Sequence, residues 1–211
     1  MLTIFLTIFP LRVFSSEIFY LKVNDVNKYL STSHDPTVVD NIDSASKYKI
    51  ETTNTPGEPY ILDVSTNRVF DLKGGGTELI TWPTKHNGIN QQFIITMNND
   101  NGYMIKNAGG QCLEFINYSN KFLAKPCMYS SKSQSFNVIT EDELKNKKQI
   151  EDLKKEIEDL RSQLKNNTCS KEQLEVLSDS VKRYNRMVND SNERIKRHGR
   201  HRTLCHEHSH Y

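Results

Sequence analysis

Residues Gln91–Ile95 read QQFII, and the fold turns on this pentapeptide because the chain contains two others like it. Ser46–Ile50 reads SKYKI and Gln134–Val138 reads QSFNV. An aromatic residue followed by β-formers therefore returns at Tyr48, Phe93 and Phe136, spaced by 45 and then 43 residues. Tyr20, Tyr60 and Tyr103 open the three segments that these aromatics close, and eleven residues after each opening come Ser31, Asp71 and Glu114. The apolar pairs Tyr29-Leu30, Val69-Phe70 and Cys112-Leu113 stand just before those positions. A period near forty marks a repeat architecture, and within each repeat short strands are broken by Gly, Asn, Asp and Ser turns. Strands this short cannot bury a core alone, so the three repeats must share one, with the closing aromatics at its centre. This predicts an all-β, β-trefoil head over residues 17–140. An irregular β-sandwich, the alternative, does not account for three equal offsets.

The second segment resembles a repeat of the ricin B-type lectins, whose signature is Gln-x-aromatic. Here that signature is Gln91-Gln92-Phe93, preceded by Asn90, and again Gln134-Ser135-Phe136. The step Phe70-Asp71-Leu72 matches the family's apolar-Asp-apolar triplet, and ITWPT (Ile80–Thr84) matches its apolar-aromatic-Pro stretch. The resemblance covers about three-fifths of the chain. It implies a saccharide site in which Asp71 accepts sugar hydroxyls, Asn90 donates and accepts, Gln91 supports the loop from behind, and Trp82 lies under the sugar's apolar face. Those residue types suit that chemistry, because a sugar offers C–H groups on one face and hydroxyls on its rim. Gly74, Gly75 and Gly76 keep the rim low. The alternatives for these residues are a core Trp82 and an Asp71 that only caps a turn, while His86 either lines the site or is an ordinary surface histidine. The third repeat has Glu114, Lys125 and Ser133 in place of Asp71, Trp82 and Asn90, and the first has Ser31 and Ser46 in place of the Asp and the Gln. One working site is expected, with a weaker one possible at Glu114. The resemblance also implies a disulfide between Cys112 and Cys127.

After Thr140 the periodicity changes from two to three-and-a-half. Thr140 and Glu143 form a capping box, and Ile150, Leu153, Ile157, Leu160 and Leu164 follow at alternating spacings of three and four. A break at NNTCS leads to a second capping box, Ser170 with Gln173, and a second stripe of Leu174, Leu177, Val181, Tyr184, Val188 and Ile195. Residues 141–197 are therefore predicted to form a coiled coil or antiparallel helical hairpin. The narrow first seam predicts self-association, with Cys169 and Cys205 as candidates for interchain bonds. Residues 198–211 form a His-rich, basic segment predicted to be disordered. Its His198, His201, His206, His208 and His210, with Cys205, suit either Zn²⁺ or Cu²⁺ or contact with an acidic surface. No metal or other cofactor is assigned.

Residues 1–16 carry an apolar run of signal-peptide length that ends in small residues, with Val13 and Ser15 at the positions three before and one before a cleavage site. The run is short for a membrane span, so the protein is expected to be secreted, where disulfides persist. A net charge of +2 over 211 residues gives no reason to expect nucleic acid as a partner. The chain lacks a nucleophile elbow, a phosphate loop and HExxH, so no enzymatic activity is expected. The expectation is thus a secreted lectin whose partners are glycans or glycoproteins. The competing expectation is a structural coat or extracellular-matrix protein that uses the trefoil only as a scaffold.

Overall fold

A computed structural model describes residues 17–33, 35–53, 59–98, 102–165 and 171–206. The chain divides into two units, Met1–Glu141 and Asp142–Tyr211. The expected signal segment, Cys169 and the second capping serine lie outside the described residues.

Among the described residues the first unit contains twelve strands that arise in three groups of four. They are β1 Phe19–Val23, β2 Lys28–Ser31, β3 Thr37–Val39 and β4 Tyr48–Glu51; β5 Tyr60–Asp63, β6 Arg68–Leu72, β7 Leu79–Trp82 and β8 Phe93–Met97; β9 Tyr103–Asn107, β10 Cys112–Ile116, β11 Lys121–Lys125 and β12 Phe136–Thr140. In each group the first strand pairs with the second and the second with the third. The fourth pairs with a first strand, β4 with β5, β8 with β9 and β12 with β1, all antiparallel. The opening hairpins turn through a left-handed residue, Asn27 (φ 58°), Asn67 (φ 54°) and Gly110 (φ 85°). Asn and Gly are the residues that tolerate this conformation, which is why these turns sit where the sequence places them.

The sheet is not closed into the ring that a trefoil predicts. First and fourth strands of a group pair as Phe19 with Tyr48 and Phe136 with Tyr103, whereas β5 and β8 share no ladder among the described residues. A single bond joins them, from Phe93 N–H to the Pro59 carbonyl at 2.9 Å. Pro59 has no N–H with which to return it, so the paired bonds of an antiparallel bridge cannot form there.

The closing aromatics Tyr48, Phe93 and Phe136 are fully buried in one hydrophobic cluster. Phe70 joins two of them, with ring centroids 5.3 Å from Tyr48 and 5.9 Å from Phe93 in edge-to-face contact, and Phe122 packs 6.4 Å from Phe136. Such pairs add about 0.5–1.5 kcal/mol each beyond the area they bury. Cys112 and Cys127 form a disulfide across 15 residues, a closure of the size that contributes about 3 kcal/mol.

The second unit holds α1, Glu141–Lys165, and α2, Lys171–His206. The helix runs past residue 197, where the sequence predicts the start of a disordered end. Within this unit Ser180 Oγ donates to Glu156 Oε1 at 2.8 Å. On one continuous helix these residues would stand roughly 36 Å apart, so the chain doubles back between them. Ile157 and Leu160 are buried and so is Ser180. The middle of the first stripe is thus covered within one chain, which weakens the sequence argument that a second chain must cover it. Leu174, assigned to the second stripe, is 44% exposed together with Val176. Among the described residues no helix is long and apolar enough to cross a membrane.

Candidate functional site

The β6–β7 hairpin and the loop that follows it carry all four residues assigned to the site. In this hairpin Asp71 lies opposite Ile80 and Val69 opposite Trp82. Paired residues share a face and alternate with period two, so Asp71 and Trp82 project from the same face as diagonal neighbours. Asp71 is buried, at 4% exposure, while Trp82 at the end of β7 is 46% exposed. The indole therefore does not pack in the core, the alternative that sequence reasoning leaves open.

The loop after Trp82 returns to Asp71 from above. Asn90 Nδ2 donates to Asp71 Oδ1 at 2.8 Å, and Gln91 Nε2 donates to Asp71 Oδ2 at 2.7 Å. Gln91 is fully buried and is held on both ends of its amide. Its Nε2 also donates to the Thr84 carbonyl at 3.0 Å, and its Oε1 accepts from His86 N–H at 2.9 Å. The two amides draw the carboxylate into one orientation. A carboxylate has about four lone-pair positions, so two remain for other donors, at a narrow opening. Asp71, Asn90 and Gln91 thus meet directly, and Trp82 stands beside them without a bond to the group.

His86 belongs to this cluster more closely than a surface histidine would. Its Nε2 lies 3.6 Å from Asp71 Oδ2 and its Nδ1 accepts from Gly88 N–H at 3.1 Å. In the neutral ring the proton therefore sits on Nε2 and points toward the carboxylate, across a gap too long for a direct hydrogen bond. A hydroxyl set beside this pair, bridging it from the open side, can donate to Asp71 and accept from His86. The only sequence signal for this was the position of His86 in the loop before Asn90.

Two glycine positions are set by the backbone and by close approach. Gly74 (φ 61°) and Gly75 (φ 72°) lie in the left-handed region and meet nothing within 4 Å of a hypothetical Cβ, so the rim there is open and glycine adopts it without strain. At Gly88 a Cβ would fall 2.5 Å from Asn90 Oδ1 and 2.7 Å from His86 Nδ1. Both obstacles are side-chain ends that can swing away. Gly88→Ala is therefore expected to change the melting temperature little while displacing Asn90 and His86. A titration should show ligand affinity falling by tenfold or more, and unchanged affinity would mean the loop does not shape the site.

The third group of strands repeats the brace without the platform. Gln134 Nε2 donates to Glu114 Oε2 and to the Pro126 carbonyl, both at 3.0 Å, and its Oε1 accepts from Met128 N–H at 2.7 Å. Lys125 occupies the place of Trp82, and the Ser133 hydroxyl pairs with Ser131 Oγ at 2.8 Å. In the first group Ser46 Oγ accepts from Thr32 N–H at 2.8 Å. Among the described residues no group of three or more His, Cys, Asp or Glu side chains is placed to hold a metal ion.

No protein-family model matches the chain, and no curated protein sequence does. Solved structures match its fold. An endo-β-galactosidase from Clostridium perfringens that releases GlcNAcα1-4Gal aligns with a TM-score of 0.52 at 10% identity, over 59% of this chain and 32% of that one. Cry35Ab1 aligns with a TM-score of 0.50 at 15% identity, over 60% of this chain and 36% of its own. A mosquitocidal holotoxin aligns with a TM-score of 0.50 at 13% identity, over 58% of this chain and 17% of its own. The chain therefore spans well under half the length of each of these proteins, and at such identities the likeness is one of fold, a β-rich one.

Proposed function

We propose that residues 17–140 form a ricin B-type β-trefoil lectin, secreted and without catalytic activity, which holds a surface glycan at its second repeat through Asp71, Trp82, Asn90 and Gln91. The recurrence of the same strand pairings in all three groups supports the trefoil reading, with the ring interrupted at Pro59. The observation that carries the function is a buried carboxylate oriented by two amides beside a half-exposed indole on the same sheet face. A sugar ring laid on Trp82 brings hydroxyls to the free lone pairs of Asp71, while Asn90 and His86 supply donors at the rim. The fold likeness to a saccharide-cleaving enzyme, to Cry35Ab1 and to a mosquitocidal holotoxin is compatible with this reading and names no ligand. The Cys112–Cys127 bond supports an oxidising compartment and hence secretion. Binding of the oxidised chain to a glycan array tests the function. Retention of no saccharide at all would overturn it.

A single shallow site of this kind binds on the order of millimolar, so useful attachment requires several sites per particle. Multimerisation by the helical unit is the second part of the proposal. It rests on the exposed Leu174 of the second stripe rather than on Ile157 and Leu160, which the unit covers itself. The oxidised chain is expected to sediment as an oligomer, and Leu174→Glu should shift it toward the monomer. A wild-type chain that sediments as a monomer would remove this part and leave the sugar site untouched.

A further inference from the structure

Trp82 also lines an open groove of about 480 Å³, together with Arg68 and Thr81 of the β6–β7 hairpin and Thr32, Ser33 and Asp35 of the first strand group. Asp71, Asn90 and Gln91 do not line it, so the groove is a second compartment that shares the indole. Arg68 is its distinctive group. Its Nε donates to Thr81 Oγ1 at 3.2 Å and its Nη2 to the Thr81 carbonyl at 2.8 Å. A guanidinium has five N–H donors in a fixed plane, and these two bonds use one edge of it. The end edge keeps one hydrogen on Nη2 and one on Nη1, a complete two-donor fork. No carboxylate lies within ion-pair distance of Arg68 among the described residues. The side chain is half-buried, so its charge is less screened than that of Asp35, the groove's other charged residue, which is exposed.

We propose that this groove takes the carboxylate of an acidic sugar on the free fork of Arg68, next to the sugar unit that lies on Trp82 at Asp71, so that the glycan recognised is a carboxylated one. The proposal rests on the lectin reading above and specifies its ligand class. A planar carboxylate matches the two parallel donors of a guanidinium, and an ammonium offers no such match. Thr81 holds the fork in place before the ligand arrives, which reduces the ordering cost of binding.

The test compares the full-length chain's affinity for carboxylated oligosaccharides, for the same oligosaccharides after reduction of the carboxyl to an alcohol, and for sulfate esters. Wild-type protein is expected to bind the acid at least about tenfold more tightly than the reduced sugar, and to lose that margin as salt is raised. Arg68→Gln should make the two affinities equal, Arg68→Lys should restore only part of the difference, and Trp82→Ala should weaken both. Equal affinity for acid and alcohol in the wild type, or a preference that survives Arg68→Gln, would overturn the assignment of Arg68 while leaving the lectin reading in place. Tighter binding of sulfate esters than of carboxylates would overturn the carboxylate assignment. If Arg68→Gln does not fold, the wild-type comparison and its salt dependence decide the question alone. Failure of the wild type to bind any saccharide would instead overturn the lectin reading on which this one stands.

Discussion

Trp82→Ala should abolish saccharide binding while shifting stability by no more than about 1 kcal/mol, as expected for a side chain that leaves 46% of its surface in solvent. A sugar face covering on the order of 100 Å² of indole is worth about 2.5 kcal/mol. Losing that from a millimolar site moves it beyond measurement, since about 1.4 kcal/mol is tenfold in affinity. Asp71→Ala should also abolish binding, but for this residue the fold suffers too. Asp71 is buried, and its removal takes one partner from Gln91 Nε2 and the carboxylate partner from Asn90 Nδ2, a loss of about 1–3 kcal/mol. Because Trp82 is the only tryptophan, its emission reports on the site directly. The wild-type signal should change on adding ligand, and the Asp71→Ala signal should not. Thermal melts of the two variants should separate the site's two halves. Binding retained by Trp82→Ala would sink the assignment of the platform.

Asp63→Ala should destabilise the β-rich unit by about 3 kcal/mol, the size expected when a buried ionised acceptor that serves four hydrogen bonds is removed. Asp63 is fully buried at the end of β5. Its Oδ1 accepts from Ser65 N–H at 2.8 Å, Ser65 Oγ at 2.6 Å and Thr66 N–H at 3.1 Å, which fixes the β5–β6 turn. Its Oδ2 accepts from Thr32 Oγ1 at 2.5 Å, which ties the second strand group to the first. Burial works to raise the carboxyl's pKa, but the hydrogen bonds from Ser65, Thr32, Thr66 and Ser46 outweigh it and hold the pKa below its ordinary value of 3.8. A folded pKa below the unfolded one means that the contribution is present in full above the unfolded value and is lost as pH falls through the folded value. Urea unfolding should therefore show wild-type stability dropping below about pH 4, with a smaller drop in Asp63→Ala. At neutral pH Asp63→Asn should lie between wild type and Asp63→Ala in stability, since it keeps one acceptor oxygen, and its acid-side drop should match that of Asp63→Ala because an amide does not titrate. An acid-side slope identical in wild type and Asp63→Ala would show that this carboxylate does not carry the effect.

Much of the candidate site was legible because its members lie within one hairpin and the loop after it. The spacing of Asp71, Trp82, Asn90 and Gln91 was sufficient to group them, and the structure joins three of them by hydrogen bonds. What spacing cannot convey is depth. Asp71 reads as an open acceptor in sequence, yet most of its surface is covered and two amides already bond to it. The glycines at 74 and 75 read as a low rim, and the fold adds that their left-handed backbone favours them. Arg68 and Asp63 carried no signal at all, because their significance comes from Thr81 across the hairpin and from Thr32 in another strand group.

The sequence by itself determined the strands, the burial of Tyr48, Phe93 and Phe136, and the switch to helix at Glu141. Each depends on periodicity and turn chemistry, which act between near neighbours along the chain. Tertiary structure alone decided that Trp82 faces solvent, that a groove opens between Arg68 and the first strand group, and that α2 folds back so that Ser180 reaches Glu156. It also decided that Pro59 leaves the ring open between β5 and β8. These depend on which distant residues meet, and exposure and long-range hydrogen bonding are properties of the packed chain rather than of any segment in it.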